Sequence, residues 1–180
     1  MSILKVARMG HPVLRAKTRA LEKADIRSAA VQQLIDDMID TMAEYHGAGL
    51  AAPQVHEGLR LFVAALGSGD DEEEEGEPAP LVLINPEITM FGSEIGEDWE
   101  GCLSIPDIRG RVPRAKEITV RALDRAGGRI ELHAFDFEAR VIQHETDHLD
   151  GILFFDRMRS FDTLTFLDEY SRYWTPKDKD

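Results

Sequence analysis

Cysteine, long apolar runs, basic charge and aromatic rings are all in short supply in this chain, and each scarcity excludes something. The sequence has one cysteine, Cys102, so an intramolecular disulfide framework is excluded and a reducing compartment is expected. A lone cysteine is ordinarily a small buried hydrophobe. No apolar run approaches the roughly 20 residues of a membrane-spanning helix, and none near the start resembles the core of a secretory signal. A cytoplasmic protein with no membrane partner is therefore expected. Its 21 basic residues face 34 acids, a formal net charge of -13, which argues against DNA or any broad nucleic-acid surface, since phosphate binding needs a positive face. Aromatics make up only 7% of the residues, yet 43% are hydrophobic, enough to support a core and exclude disorder of the whole. The length, 180 residues, suits a single domain over 1–180.

Lys5, Arg8, Arg15, Lys17 and Arg19 precede the first acid, Glu22, the charge pattern of an organellar transit peptide. Gly10 and Pro12 interrupt any amphipathic helix there and serine is almost absent, so organellar targeting is not expected. Val31, Leu34, Ile35, Met38, Ile39 and Met42 form a helical stripe, capped by Asp25 or Ser28 and ended by Gly47 and Gly49. Leu59–Leu66 and Leu81–Asn85 read as short strands. Ile118–Leu123 and Arg129–Ala134 alternate around a turn at Asp124–Gly128, which predicts a hairpin. Between the first two strands, residues 67–80 carry seven acids from Asp70 to Glu77, and self-repulsion predicts a flexible acidic loop. A second helix is expected over Phe135–Asp150, stopped by Gly151, and a third from near Ser160 in a C-terminal helix and tail over 160–180. Strands and helices do not alternate regularly. The expected class is α+β, with short, mostly antiparallel strands packed around a metal-binding helix, an N-terminal helix and a C-terminal helix.

The metal expectation comes from QHETDHLDG, Gln143–Gly151. His144 and His148 are four residues apart, so on a helix their imidazoles share a face and can share an ion. Glu145 lies beside that face, where a carboxylate can reach a metal-bound water without being a ligand. A surface helix with two histidines is the alternative. Catalytic ions normally take three protein ligands, and no histidine follows His148. His11, His46, His56 and His133 stand in unremarkable contexts and read as surface or structural. The obvious soft donor is Cys102, in WEGCLSIP, at a strand end or tight loop. GAGLAAPQ, Gly47–Gln54, would let another backbone approach closely. It also fits a small-residue helix terminus.

Taken in order, GAGLAAPQ, EGCLS and QHETDH closely resemble the three signature motifs of the peptide deformylases. The opening ILKVARMGHPVLR, the stretch IPDIRGRVPRAKEITVRALDR and DHLDGILFFDRM are also similar to that family, from Ile3 to about Met158, which places Ile3–Arg15 within the mature domain. The resemblance implies an enzyme of the bacterial cytoplasm that removes the formyl group from N-terminal formylmethionine of newly made polypeptides and releases formate. It implies one divalent metal ion, ferrous iron natively, with zinc, nickel or cobalt as substitutes. Cys102, His144 and His148 would be its ligands. Metal-bound hydroxide would attack the formyl carbon with Glu145 as general base and then acid, while Gln54 and the backbone N–H of Leu103 hold the formyl oxygen. Gly49, Gly101 and Ala48 would border the groove for the substrate backbone. Ala48 replaces a branched aliphatic frequent in the family, and His56 stands where a glycine often follows.

Two further expectations concern partners. Some relatives dock a basic C-terminal helix on ribosomal RNA, but residues 160–180 hold Arg172, Lys177 and Lys179 against Asp162, Asp168, Glu169, Asp178 and Asp180. A tail of net -2 suits phosphate poorly, so any transient ribosome contact is expected to use another surface, and a monomer is expected. The rival functions are a zinc endopeptidase, which shares the histidine pair and glutamate but not Cys102 with Gln54, and a non-catalytic peptide-binding module, which would lack a ligand or base.

Overall fold

The computed structural model describes residues 2–66 and 80–175. The acidic stretch expected over 67–80 therefore lies outside the described residues except for Pro80, as do residues 176–180 of the tail. In chain order the elements are α1 (Lys23–Ile26), α2 (Ala29–Glu44), β1 (Gly49–Ala51), β2 (Leu61–Ala64), β3 (Leu81–Phe91), β4 (Ile95–Cys102), β5 (Ile105–Ala115), β6 (Glu117–Leu123), β7 (Arg129–Phe135), α3 (Asp136–Leu149), β8 (Thr165–Phe166) and α4 (Leu167–Tyr173), with short 3-10 turns at Pro12–Arg15, Ala52–Val55 and Phe154–Arg157. The fold is α+β. One sheet has strand order β1-β2-β3-β6-β7 and another has β4-β5-β8, and all the strand pairings are antiparallel.

Side-chain alternation puts both faces of the five-stranded sheet to use. Leu61, Val63, Val82 and Ile84 point to α2, where Ile35, Met38 and Met42 meet them. Phe62, Leu83, Ile118 and Val120 point the other way, to Ala139, Ile142 and Leu149 of α3. This double burial explains why β2 is apolar throughout. Helix α2 begins as expected, with Ser28 Oγ accepting from the Val31 N–H at 3.3 Å. It ends before the expected glycines: Tyr45 is the cap residue, and Gly49 belongs to β1. Helix α3 stops where Gly151 takes φ 73°, and a Cβ there would come within 2.8 Å of the Arg15 carbonyl carbon.

Three expectations need correction. The strands are not all short, since β3 and β5 each run 11 residues. The β4–β5 hairpin, the longest pairing in the second sheet, falls in a stretch where no pair of strands was expected. The C-terminal helix begins at Leu167, not near Ser160, because β8 first pairs Thr165 and Phe166 with Arg109 and Ile108.

Candidate active site and metal centre

Helix α3 is not a surface helix. Every residue from Val141 to Leu149 is buried, so QHETDH brings two imidazoles and four further polar side chains into the interior. A buried polar group ordinarily has a partner, and Glu145, Thr146 and His148 each bury an atom without one among the described residues. Cys102 arrives at the end of β4, with its Sγ 3.2 Å from His148 Nε2. The donor atoms of Cys102, His144 and His148 lie within 4.8 Å of one another, and among the described residues they are the one such group of His, Cys, Asp or Glu. Burial works to raise the Cys102 thiol, but the charge on His148 and hydrogen bonds from both histidines hold it well below its ordinary range. A thiolate and two imidazoles so close together fit a tetrahedral, borderline-soft divalent ion with one position left over.

Glu100, two residues before Cys102, fixes the orientation of one ligand. Its Oε2 sits 2.9 Å from His144 Nδ1, which leaves Nε2 of that ring for the metal side. Arg114 donates to both Glu100 oxygens, at 2.9 and 3.0 Å, and Arg140 Nη1 donates to Oε1 at 2.8 Å. Burial would push Glu100 up; His144 and Arg114 more than cancel it and hold the carboxyl down at about 2. Arg114 also donates to Asp147 at 2.5 Å, and Arg157 donates to Asp147 from outside at 2.7 Å. Sequence reading missed Glu100, Arg114, Arg140 and Asp147. Glu100 and Asp147 stand as charges inside two of the motifs and Arg114 and Arg140 outside them, but the pairings of the four join residues up to 44 apart in the chain.

Glu145 lies between the two histidines in sequence, and burial pushes its carboxyl up to about 7 against the opposing pull of His144 and His148. Its Oε2 is buried without a hydrogen-bond partner among the described residues. The space that lets it lie there is at Gly49, where a Cβ would sit 2.7 Å from Glu145 Cγ. At Gly101 the corresponding space is filled by the Arg109 guanidinium. Both glycines thus make room for side chains of the same chain within the groove.

Gln54 is held by the turn that carries it: its Oε1 accepts from the Ala51 N–H at 2.8 Å, and its Nε2 donates to Ser104 Oγ at 3.2 Å and faces Cys102 Sγ at 3.5 Å. The N-terminal segment straps this arrangement, since the Ala7 N–H donates to the Gln54 carbonyl and the Met9 N–H to the Ser104 carbonyl, at 2.7 and 2.8 Å. His56 takes φ 69°, a conformation that accounts for glycine being at home at that position.

A cavity of about 730 Å³ opens beside these groups and takes in Ala48, Gly49, Gln54, Gly101, Cys102, Leu103, His144 and Glu145 in its lining. All the expected site residues except His148 therefore face one cavity, and His148 joins it through the Cys102 contact. His46, read as unremarkable, lines it too, as do Trp99, Arg109, Phe137 and Leu167.

The model of the family described as polypeptide deformylase matches residues 3–163. The chain is 44% identical over 178 residues to peptide deformylase 2 of a Nostoc species, covering 98% of both chains, and 46% identical over 163 residues to peptide deformylase of Salinibacter ruber, covering 88% of this chain and 82% of that one. Among solved structures, it resembles the class I type b peptide deformylase from Acinetobacter baumannii with Met-Ala-Ser bound, at TM-score 0.80 and 40% identity over 88% of this chain and all of that one. The peptide deformylase from Thermotoga maritima is similar at TM-score 0.79 and 36% identity, over 89% of this chain and all of that one.

Proposed function

The chain belongs to the polypeptide deformylase family, and from that membership we propose the following reading of its site. It is a metal-dependent amide hydrolase that removes the formyl group from N-terminal formylmethionine of newly synthesised polypeptides and releases formate. The observation that carries the reading is the convergence of Cys102, His144 and His148 donor atoms within 4.8 Å beside a buried, unpartnered Glu145 oxygen.

Cys102, His144 and His148 would hold one divalent ion, ferrous iron natively, with zinc, nickel or cobalt able to replace it because a thiolate favours late first-row metals. When bound there, such an ion would supply Lewis acidity toward the formyl carbonyl and lower the pKa of a bound water. Glu145 accepts the proton that the attacking water loses and delivers it to the methionine nitrogen as the C–N bond breaks. A buried carboxyl next to the ligand His144 is placed to serve both duties. Gln54 Nε2 and the Leu103 N–H hold the formyl oxygen as charge grows on it, Gln54 giving up the longer of its two contacts, that to Cys102 Sγ. Gly49, Ala48 and Gly101 border the path of the peptide. The reaction takes place in the cytoplasm on emerging chains and needs no basic RNA-docking tail.

The test is anaerobic purification, metal analysis and formate release from formyl-Met-Ala-Ser, with Glu145→Gln as control. One equivalent of metal with formate released by the wild type alone is expected; metal bound and no formate would defeat the reading.

A further inference from the structure

The C-terminal segment takes no part in the three motifs, yet it reaches the cavity. After α3 the chain returns to the β4–β5 hairpin: β8 pairs with Ile108 and Arg109, and the Arg111 N–H donates to Thr163 Oγ1 at 3.1 Å. Helix α4 and its cap residue then lay Tyr170 and Trp174 against Trp99, with ring centroids 4.9 and 5.4 Å from that of Trp99. Leu167, its first residue, lines the cavity together with Trp99 and Arg109. No residue of α4 is buried, so the segment adds nothing to the core. Its packing builds a wall.

We propose that Leu167 and Trp99, braced by Tyr170 and Trp174, form a subsite for the third residue of the formylated peptide and select an apolar side chain there. The proposal rests on the deformylase reading above. Trp99 precedes Cys102 by three residues on β4, about 10 Å at roughly 3.3 Å per residue. An extended peptide whose formyl group lies at Cys102, running beside Gly101, covers that distance in about three residues of its own. It then meets an indole and an isobutyl group, which favour burial of an apolar side chain over a polar one.

The experiment measures kcat/KM for formate release from formyl-Met-Ala-Leu and formyl-Met-Ala-Ser, an uncharged pair that Arg109 and Asp107 in the lining do not separate, with the metal-loaded protein. Wild type is expected to favour the leucine peptide by about tenfold, mainly through KM, the effect of burying most of one aliphatic side chain. Leu167→Asp brings the ratio close to one, and so does removal of residues 160–180; the point variant decides the matter whether or not the truncated chain folds. Tyr173→Ser, at a side chain 68% exposed, keeps the wild-type ratio. The chain's two tryptophans, Trp99 and Trp174, both stand in this wall, so emission gives a readout free of turnover. Met-Ala-Leu shifts it in the wild type, and Leu167→Asp blunts the shift. An unchanged ratio and an unchanged shift in Leu167→Asp would overturn the subsite. Formate from no peptide at all would overturn the deformylase reading instead, and the emission titration would still judge the wall.

Discussion

Glu145 owes its position to a residue that has no side chain. Gly49 leaves open the volume that the Glu145 methylene and carboxylate fill, so the two outer motifs are in van der Waals contact across the groove. Gly49→Ala is therefore expected to displace the carboxylate and cut kcat by about two powers of ten or more, the scale of losing a positioned general base, with metal content unchanged. Glu145→Gln keeps the shape and removes the proton acceptor, and a loss of about 10²- to 10⁴-fold in kcat/KM is expected at matched metal content. Formate release alongside metal analysis checks both. Cys102 makes the site oxidisable. Peroxide in air is expected to abolish activity in step with modification of Cys102 read by mass spectrometry, and full activity with Cys102 quantitatively oxidised would contradict its role as a ligand.

Among elements, β4, β5 and α3 are joined by one polar cluster. Glu100 from β4 and Asp147 from α3 share Arg114 from β5, with all three side chains less than a tenth exposed. Removing one member of a buried ion cluster strands the others in a low dielectric. Arg114→Leu is expected to cost about 3 kcal/mol, the low end for such losses because Arg140 and Arg157 still serve the two acids; urea unfolding measures it. The same cluster explains what sequence patterning could and could not show. Helices α2 and α3 and the β6–β7 hairpin bury aliphatic faces, so their periods of 3.6 and 2 are visible. The inward face of β4 carries Glu100, whose charge is cancelled only by side chains distant in sequence, so an acidic strand interior was illegible as one. The ligand triad was legible because metal chemistry restricts residue types severely. Glu100 and Arg114, which orient a ligand, are drawn from residues that ordinarily read as surface. The C-terminal helix was misplaced because Phe161, Leu164, Leu167, Tyr170 and Trp174 fit a near-helical spacing, but β-pairing of Thr165 and Phe166 to Arg109 and Ile108 claims the chain first.

On the scale of the whole molecule, chain ends and middle are tied by exposed ion pairs. Arg15 and Asp156 pair across 141 residues. Burial raises Asp156, but the Arg15 guanidinium, the Leu153 N–H and the charge of Arg157 together hold its carboxyl below the ordinary value. A carboxyl depressed in the folded chain contributes stability above its unfolded pKa, about 3.9, and loses it as pH falls through the lower folded value. Wild type and Arg15→Ala should thus differ by a constant amount above about pH 5 and converge in more acid solution. With side chains 47% and 35% exposed, the difference is expected to stay below about 1 kcal/mol, read from thermal unfolding across pH. The net charge of -13 acts at longer range: with an acidic tail, no salt-sensitive ribosome co-sedimentation should be lost on removing residues 160–180.

Cys102 sits on β4 and both histidines on α3, and that division gives the ion a mechanical part. Metal at this site would be a removable rivet between a hairpin and a helix that carry the second and third motifs. Free ion at a hundred times its Kd would add about 2.7 kcal/mol to folding, concentrated at the rivet. Backbone amides of β4 and β5 should exchange with deuterium more slowly when the ion is bound, while those of β7, at the far edge of the other sheet, keep their rates. Chelation would then loosen the groove wall before it unfolds the molecule, because β4 carries both Cys102 and Trp99.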